Sequence, residues 1–317
     1  MAAVLQLASR PEAAEDGTRK SRYRAVGLTL AIIGLMGAAV SVVGNFTAAA
    51  GIDDQNAFAE TLAWTFGLSI FSFGLIKLAI ATILMGIVVR LWFRVDSVKA
   101  ALARLLGHSE DTPRVTSGSV TTAWGTATVT EKPPKLLPIH RMARKMWAPM
   151  LAMGAMALTA GLISSWVWAS ESPGTTSFRE AAAFTQGMEF LGETLLLSGI
   201  AFLLATILAG LREGGGEVQS SLGLPVTTLK MPATAKAFVG LMMLGLMAGI
   251  AQFVGYLFAL GVADDPASFS SWSNWLGPFR ELALGLILAG IVLALVTIGN
   301  VLAFQFDRVK SIIRTGN

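Results

Sequence analysis

Residues 181–211 read AAAFTQGMEFLGETLLLSGIAFLLATILAGL, and two glutamates are their only charged side chains. A run this long and this apolar is a membrane span, because about 20 residues at ~1.5 Å each cross the ~30 Å hydrocarbon core. Glu189 and Glu193 stand four residues apart, so they share one helix face where charge is costly.

Five further stretches have the same character: 25–50, 62–89, 146–169, 237–262 and 275–304. Only 14% of the 317 residues are charged, against about 25% in a soluble domain. The expected fold is an all-α integral membrane protein of six transmembrane helices. The first 24 residues form a polar tail, residues 25–304 the membrane domain, and 305–317 a second tail. The connections 90–145 and 212–236 are the longer ones.

The spans repeat in pairs, about 25–89, 146–211 and 237–304. Gly34-Leu35-Met36, Gly154-Ala155-Met156 and Gly245-Leu246-Met247 mark the first helices, 120 and 91 residues apart. Ala81-Thr82-Ile83-Leu84, Ala205-Thr206-Ile207-Leu208 and Val296-Thr297-Ile298 mark the second helices, with steps of 124 and 91. Constant order at near-constant spacing points to three repeated helical hairpins. The connections echo as well, as Val129-Thr130 and Val226-Thr227. Residues 115–130 are rich in Thr, Val and Ser, and read either as a small hairpin around Gly118 or Gly125 or as a loop.

Charge orients the hairpins. The two tails and the connections 90–145 and 212–236 hold 21 of the 24 basic residues. The short turns instead carry Asp53, Asp54, Glu60, Glu171, Glu180, Asp264 and Asp265, with Arg179 their one basic residue. The positive-inside bias puts both termini in the cytoplasm. Trp64, Trp168, Trp272 and Trp275 fall near the outer ends, where amphipathic rings favour the headgroups. The expected location is the cytoplasmic (inner) membrane of a bacterium. The high pI belongs to this topology, and no nucleic-acid partner is expected.

Several chemistries lack their residues. Without cysteine there are no disulfides, no cysteine-held iron–sulfur clusters and no thiol catalysis. His108 and His140 both lie in the 90–145 connection, so no histidine pair inside the helices can hold haem. Glu-x-x-His, the mark of dinuclear carboxylate metal sites, is missing. Gly214-Gly215-Gly216 is not followed by Gly-Lys-Ser/Thr and is no phosphate loop. The expectation is no cofactor, no metal and no enzymatic activity.

Two sets of residues are singled out. Gly34, Gly37, Gly154, Gly245 and Gly249 sit in small-residue patterns on the first helix of each pair, where helix backbones can approach closely. Lys77, Glu189, Glu193, Arg280 and Glu281 are the charges inside the spans, all on second helices. Counted from the outer ends, Glu193 lies ~13 Å deep and Lys77 ~20 Å, close enough to pair through the long lysine stem. Arg280 is expected to serve Glu189 or Glu281, and Gln186 and Gln252 to join the network.

The length, the three two-helix repeats and the basic pI resemble mitochondrial carriers. Phe93-x-x-Asp96-x-x-Lys99 and Phe306-Asp307-x-x-Lys310 echo their acidic-basic gate. The proline-acid-basic signature that ends each odd helix of that family has no counterpart after Ala50, Ala169 or Val262, so the chain is not assigned to it. The leading functional expectation is an accessory, anchor or scaffold subunit of a larger membrane complex. Its partners would be membrane lipids and other membrane-protein subunits, or a second copy of itself. The alternative is an ion, proton or small-solute transporter using the intramembrane charges. A third is a quinone- or lipid-binding subunit, using the Trp-rich turns and Arg280.

Overall fold

The computed structural model describes residues 11–50, 55–106, 118–122, 125–130, 137–221 and 224–315. Asp53, Asp54 and His108 lie outside them. The described residues are 88% helical. Its elements are α1 (Pro11–Ala50), α2 (Gln55–Leu106), β1 (Gly118–Thr122), β2 (Gly125–Thr130), α3 (Pro138–Ser170), α4 (Thr176–Ser221), β3 (Val226–Leu229), α5 (Ala233–Gly261) and α6 (Pro266–Thr315). All six helices contain a segment long and apolar enough to cross a membrane. Lipid offers no partner to a backbone N–H or C=O, so an apolar chain there must satisfy both internally, and helices do so. The protein is membrane-embedded.

The helices overrun the spans read from hydropathy. α2 has 52 residues, α4 46 and α6 50, and at ~1.5 Å per residue each is about twice as long as lipid requires. The connection 212–236 is therefore mostly helix. Short caps set the helix starts. Thr175 Oγ1 accepts the Phe178 N–H at 3.2 Å ahead of α4, after a turn in which Gly174 takes φ +83°, a left-handed conformation that suits glycine. Pro266 opens α6, where a missing N–H costs nothing. Asp265 caps the same helix, accepting the Ala267 amide at 3.0 Å and the Ser268 hydroxyl at 2.6 Å.

The all-α expectation is corrected by a three-stranded antiparallel sheet in the order β1-β2-β3. Of the two readings of 115–130 the small hairpin holds, and it turns beside Gly125 and not Gly118. Both glycines are strand residues, opposite Val129 and Thr122. The β2–β3 register sets Val129 against Thr227 and Thr130 against Val226. Segments that echo each other in sequence are thus paired strands, because alternating Thr and Val fit a pleated ladder.

Packing divides the chain into two units. The first comprises Met1–Gly86, Met150–Leu197 and Met247–Leu284. Its apolar core gathers Ile70, Leu158, Phe190, Leu196, Tyr256 and Leu276. Small residues allow close helix contact there. A methyl group at Gly34 would stand 2.7 Å from the Ser72 carbonyl oxygen, and one at Gly154 2.9 Å from the Leu196 amide nitrogen. Gly37 rests on the Ser72 hydroxyl, and Gly249 on Thr194. Ser41 donates to the Thr65 carbonyl at 2.8 Å. Arg179 donates to the Ala263 carbonyl at 2.6 Å and the Gly174 carbonyl at 2.8 Å, tying two turns together.

The second unit comprises Ile87–Pro149, Ser198–Leu246 and Gly285–Asn317. Its sheet packs Ala127 and Leu229 against Phe304. Gln219 accepts the Thr227 amide at 2.6 Å, Arg144 pairs with Glu213, and Thr297 donates to Thr234 at 2.9 Å. Gly245 is buried in this unit. Burial along the helices is uneven. In the most apolar stretch of α4, 89% of residues are buried, against 17% in α1. The two stretches have the same mean hydropathy, 2.3, so packing and not composition separates them.

Candidate functional site

The intramembrane charges meet on α4, in the first unit. Lys77 of α2 donates to Oε1 of Glu193. Arg280 of α6 donates to Oε2 at 2.8 Å. Glu193 is nearly sealed, with 5% of its side chain exposed. One carboxylate therefore holds two cations from two other helices. Arg280 is also 3.6 Å from Glu281, whose side chain is 74% exposed. Its guanidinium carbon lies 4.1 Å above the centre of the Phe190 ring, an attraction of about 0.5–2 kcal/mol. Phe190 packs on Tyr256 at 5.6 Å and edge-on to Phe66 at 6.2 Å, so aromatic rings wall one side of the cluster.

Glu189, one turn away, is different. It is fully buried, and neither carboxyl oxygen has a hydrogen-bond partner. Its stem fills the space above Gly161. Its Oε1 lies 3.1 Å from where a Cβ on Gly67 would stand. Ser165 reaches the same spot above Gly67, but its hydroxyl donates to the Leu162 carbonyl at 2.7 Å. A further turn back along α4, Thr185 donates to the Ser164 hydroxyl at 2.9 Å.

The singled-out charges divide accordingly. Lys77, Glu193 and Arg280 come together, with Glu281 at the edge. Arg280 takes Glu193 as its short partner where Glu189 or Glu281 was expected. Gln252 gives its amide to the Leu276 carbonyl at 3.2 Å, and its Oε1 is buried without a partner. Phe190 is the cluster member that sequence reading missed. Its signal was its place between Glu189 and Glu193, next to the first and three residues before the second. Among the described residues, no three His, Asp or Glu side chains are grouped to hold a metal ion. Elsewhere in the first unit, Ala39, Val40, Val43, Gly44, Thr47 and Trp64 line an open apolar groove of about 420 Å³.

Comparison with protein-family models, curated proteins and solved structures finds no match to this chain. The cluster must be read from its own chemistry. Two cations share the Glu193 carboxylate, Arg280 also reaches the exposed Glu281, and a second carboxyl group, that of Glu189, lies one turn away without a partner.

Proposed function

We propose that the protein is a non-catalytic multi-pass scaffold or accessory subunit of a larger complex in a bacterial inner membrane. The observation that carries this reading is the tie of Lys77 and Arg280 to Glu193 across α2, α4 and α6. Buried ions whose partners satisfy them fix packing register, which a platform needs. α1 adds a surface for assembly. Leu28, Ile32, Leu35, Met36, Val43 and Phe46 expose apolar side chains along it, and such a face suits lipid or a partner helix.

In this proposal the six helices are three repeated hairpins with both termini in the cytoplasm. The placement of 21 of 24 basic residues supports the orientation. The repeat draws support from Thr82, Thr206 and Thr297, each of which donates to the carbonyl four residues earlier, at 2.8, 2.9 and 2.8 Å. The test is purification of the full chain in a mild detergent from its native membrane. The scaffold reading expects a second membrane protein at fixed stoichiometry. That partner should be lost from a Glu193→Gln variant whose helices separate.

An ion, proton or small-solute transporter is the second reading. It rests on one observation the scaffold leaves unused, the unpartnered carboxyl of Glu189. The groove beside Trp64 would suit an acyl chain if the protein binds lipid.

A further inference from the structure

A carboxyl group buried in an apolar setting without a donor is costly as an anion and cheaper as the neutral acid. Nearby positive charge works the other way. Glu189 meets both conditions. Neither of its oxygens has a partner, and Glu193, one turn along α4, holds the cations Lys77 and Arg280 nearby. With Glu189 ionised, Lys77, Arg280, Glu193 and Glu189 balance. With Glu189 neutral, the second negative charge comes from the exposed Glu281, 3.6 Å from Arg280. Two charge states so evenly opposed make a group that can change state.

The surroundings fit a proton better than a larger ligand. α2 presents Gly67 and α3 presents Gly161, both packed on the side chain, with Ser165 beside Gly67. α5 presents Tyr256, which packs on Gly187 and Phe190 of α4. α6 presents Arg280, and α2 presents Lys77 further along, both drawn to Glu193. The Thr185–Ser164 hydroxyl pair lies one helical turn from Glu189 on one side, and Glu193 lies one turn away on the other. A gap of one turn, ~6 Å, is crossed by a proton only through an intervening water.

We propose that Glu189 is a reversible proton-binding site, with the Lys77–Glu193–Arg280 cluster as its counter-charge and the Thr185–Ser164 pair as its approach. On binding, a hydronium ion gives its proton to a carboxylate oxygen, an O–H bond forms and water is released. Release reverses the step. The inference deepens the transporter reading and is independent of whether a partner subunit exists. Co-purification tests the scaffold, and the spectroscopy below tests the site.

The experiment is infrared difference spectroscopy of the full chain in phospholipid vesicles, titrated between about pH 6 and 10, a range in which ordinary Asp and Glu side chains stay ionised. The expected result is a carboxylic-acid carbonyl band that grows as pH falls and shifts in heavy water. Glu189→Gln should abolish that band completely, Glu189→Asp should move its frequency, and exchange of sodium for potassium should leave it unchanged. If Glu189→Gln is not monodisperse, Glu189→Asp decides, and an unmoved band overturns the proposal. A pH-dependent band that persists in Glu189→Gln also overturns it. So does a band that the substitution removes but pH does not change, since Glu189 is then a fixed structural acid. A band displaced by sodium alone would make the site one for an alkali cation and equally overturn the proposal.

Discussion

Glu193 accepts from Lys77 through one oxygen and from Arg280 through the other, so removing it strands two cations at once. Breaking a buried ion pair by deleting one partner costs about 3–5 kcal/mol. Glu193→Gln should fall in that range in a thermal melt in detergent. Lys77→Met should cost less, because Arg280 still serves the carboxylate. If the cluster only fixes packing, joint replacement by Lys77→Met, Glu193→Leu and Arg280→Met should restore a melt near the wild-type value, since apolar isosteres often match a buried ion network. A triple variant that folds well but has lost a transport activity would count against a purely packing role. Part of this cluster was legible beforehand. Depth counted from the outer ends sets Lys77 and Glu193 within reach, because rise per residue is fixed. Which carboxylate Arg280 chooses was not legible. That depends on helix rotation, and Phe190 under the guanidinium helps set it.

Helix contacts give a sharper contrast between similar substitutions. A Cβ at Gly192 would lie 2.7 Å from Leu158 Cγ and 2.9 Å from the Leu158 amide nitrogen. Backbone cannot give way cheaply, so Gly192→Ala should cost about 1–3 kcal/mol. A Cβ at Gly285 on α6 meets nothing within 4 Å, and Gly285→Ala should be neutral or stabilise by up to about 1 kcal/mol through helix propensity. Melts of the two variants side by side test this. The start of α6 has a pH dependence of its own. The Ser268 hydroxyl, and then the Ala267 amide, hold the Asp265 carboxyl below its ordinary value of 3.8. A carboxyl lowered in the folded state contributes fully above that value and loses its contribution as pH falls through the folded one. Hydrogen exchange at the first turn of α6 should therefore be faster in Asp265→Ala than in wild type at neutral pH, and the two should converge in acid. At this scale, spans were legible from hydropathy and the β1–β2 hairpin was one of two readings of its segment, but the pairing with β3 was not. The β2 and β3 strands are short and about a hundred residues apart, and their Val-Thr likeness reads equally well as a repeat. Only the register set them opposite each other.

Among the described residues, six helices are long and apolar enough to cross a membrane, and they account for most of those residues. The proposed orientation predicts that tags at either terminus and in the 212–236 connection are reached only from the cytoplasmic side, while one in the 171–175 turn is reached from outside. Protease protection in oriented vesicles checks this. Function was the least legible level, since neither catalytic nor cofactor motifs mark the chain and the informative groups are buried between helices. The scaffold reading is the central claim, and native mass spectrometry of the chain released from its own membrane into a mild detergent tests it most directly. The account predicts an assembly heavier than the 33.3 kDa chain, with a second membrane protein in fixed ratio. A lone 33.3 kDa species that carries ions across vesicles after reconstitution would contradict it.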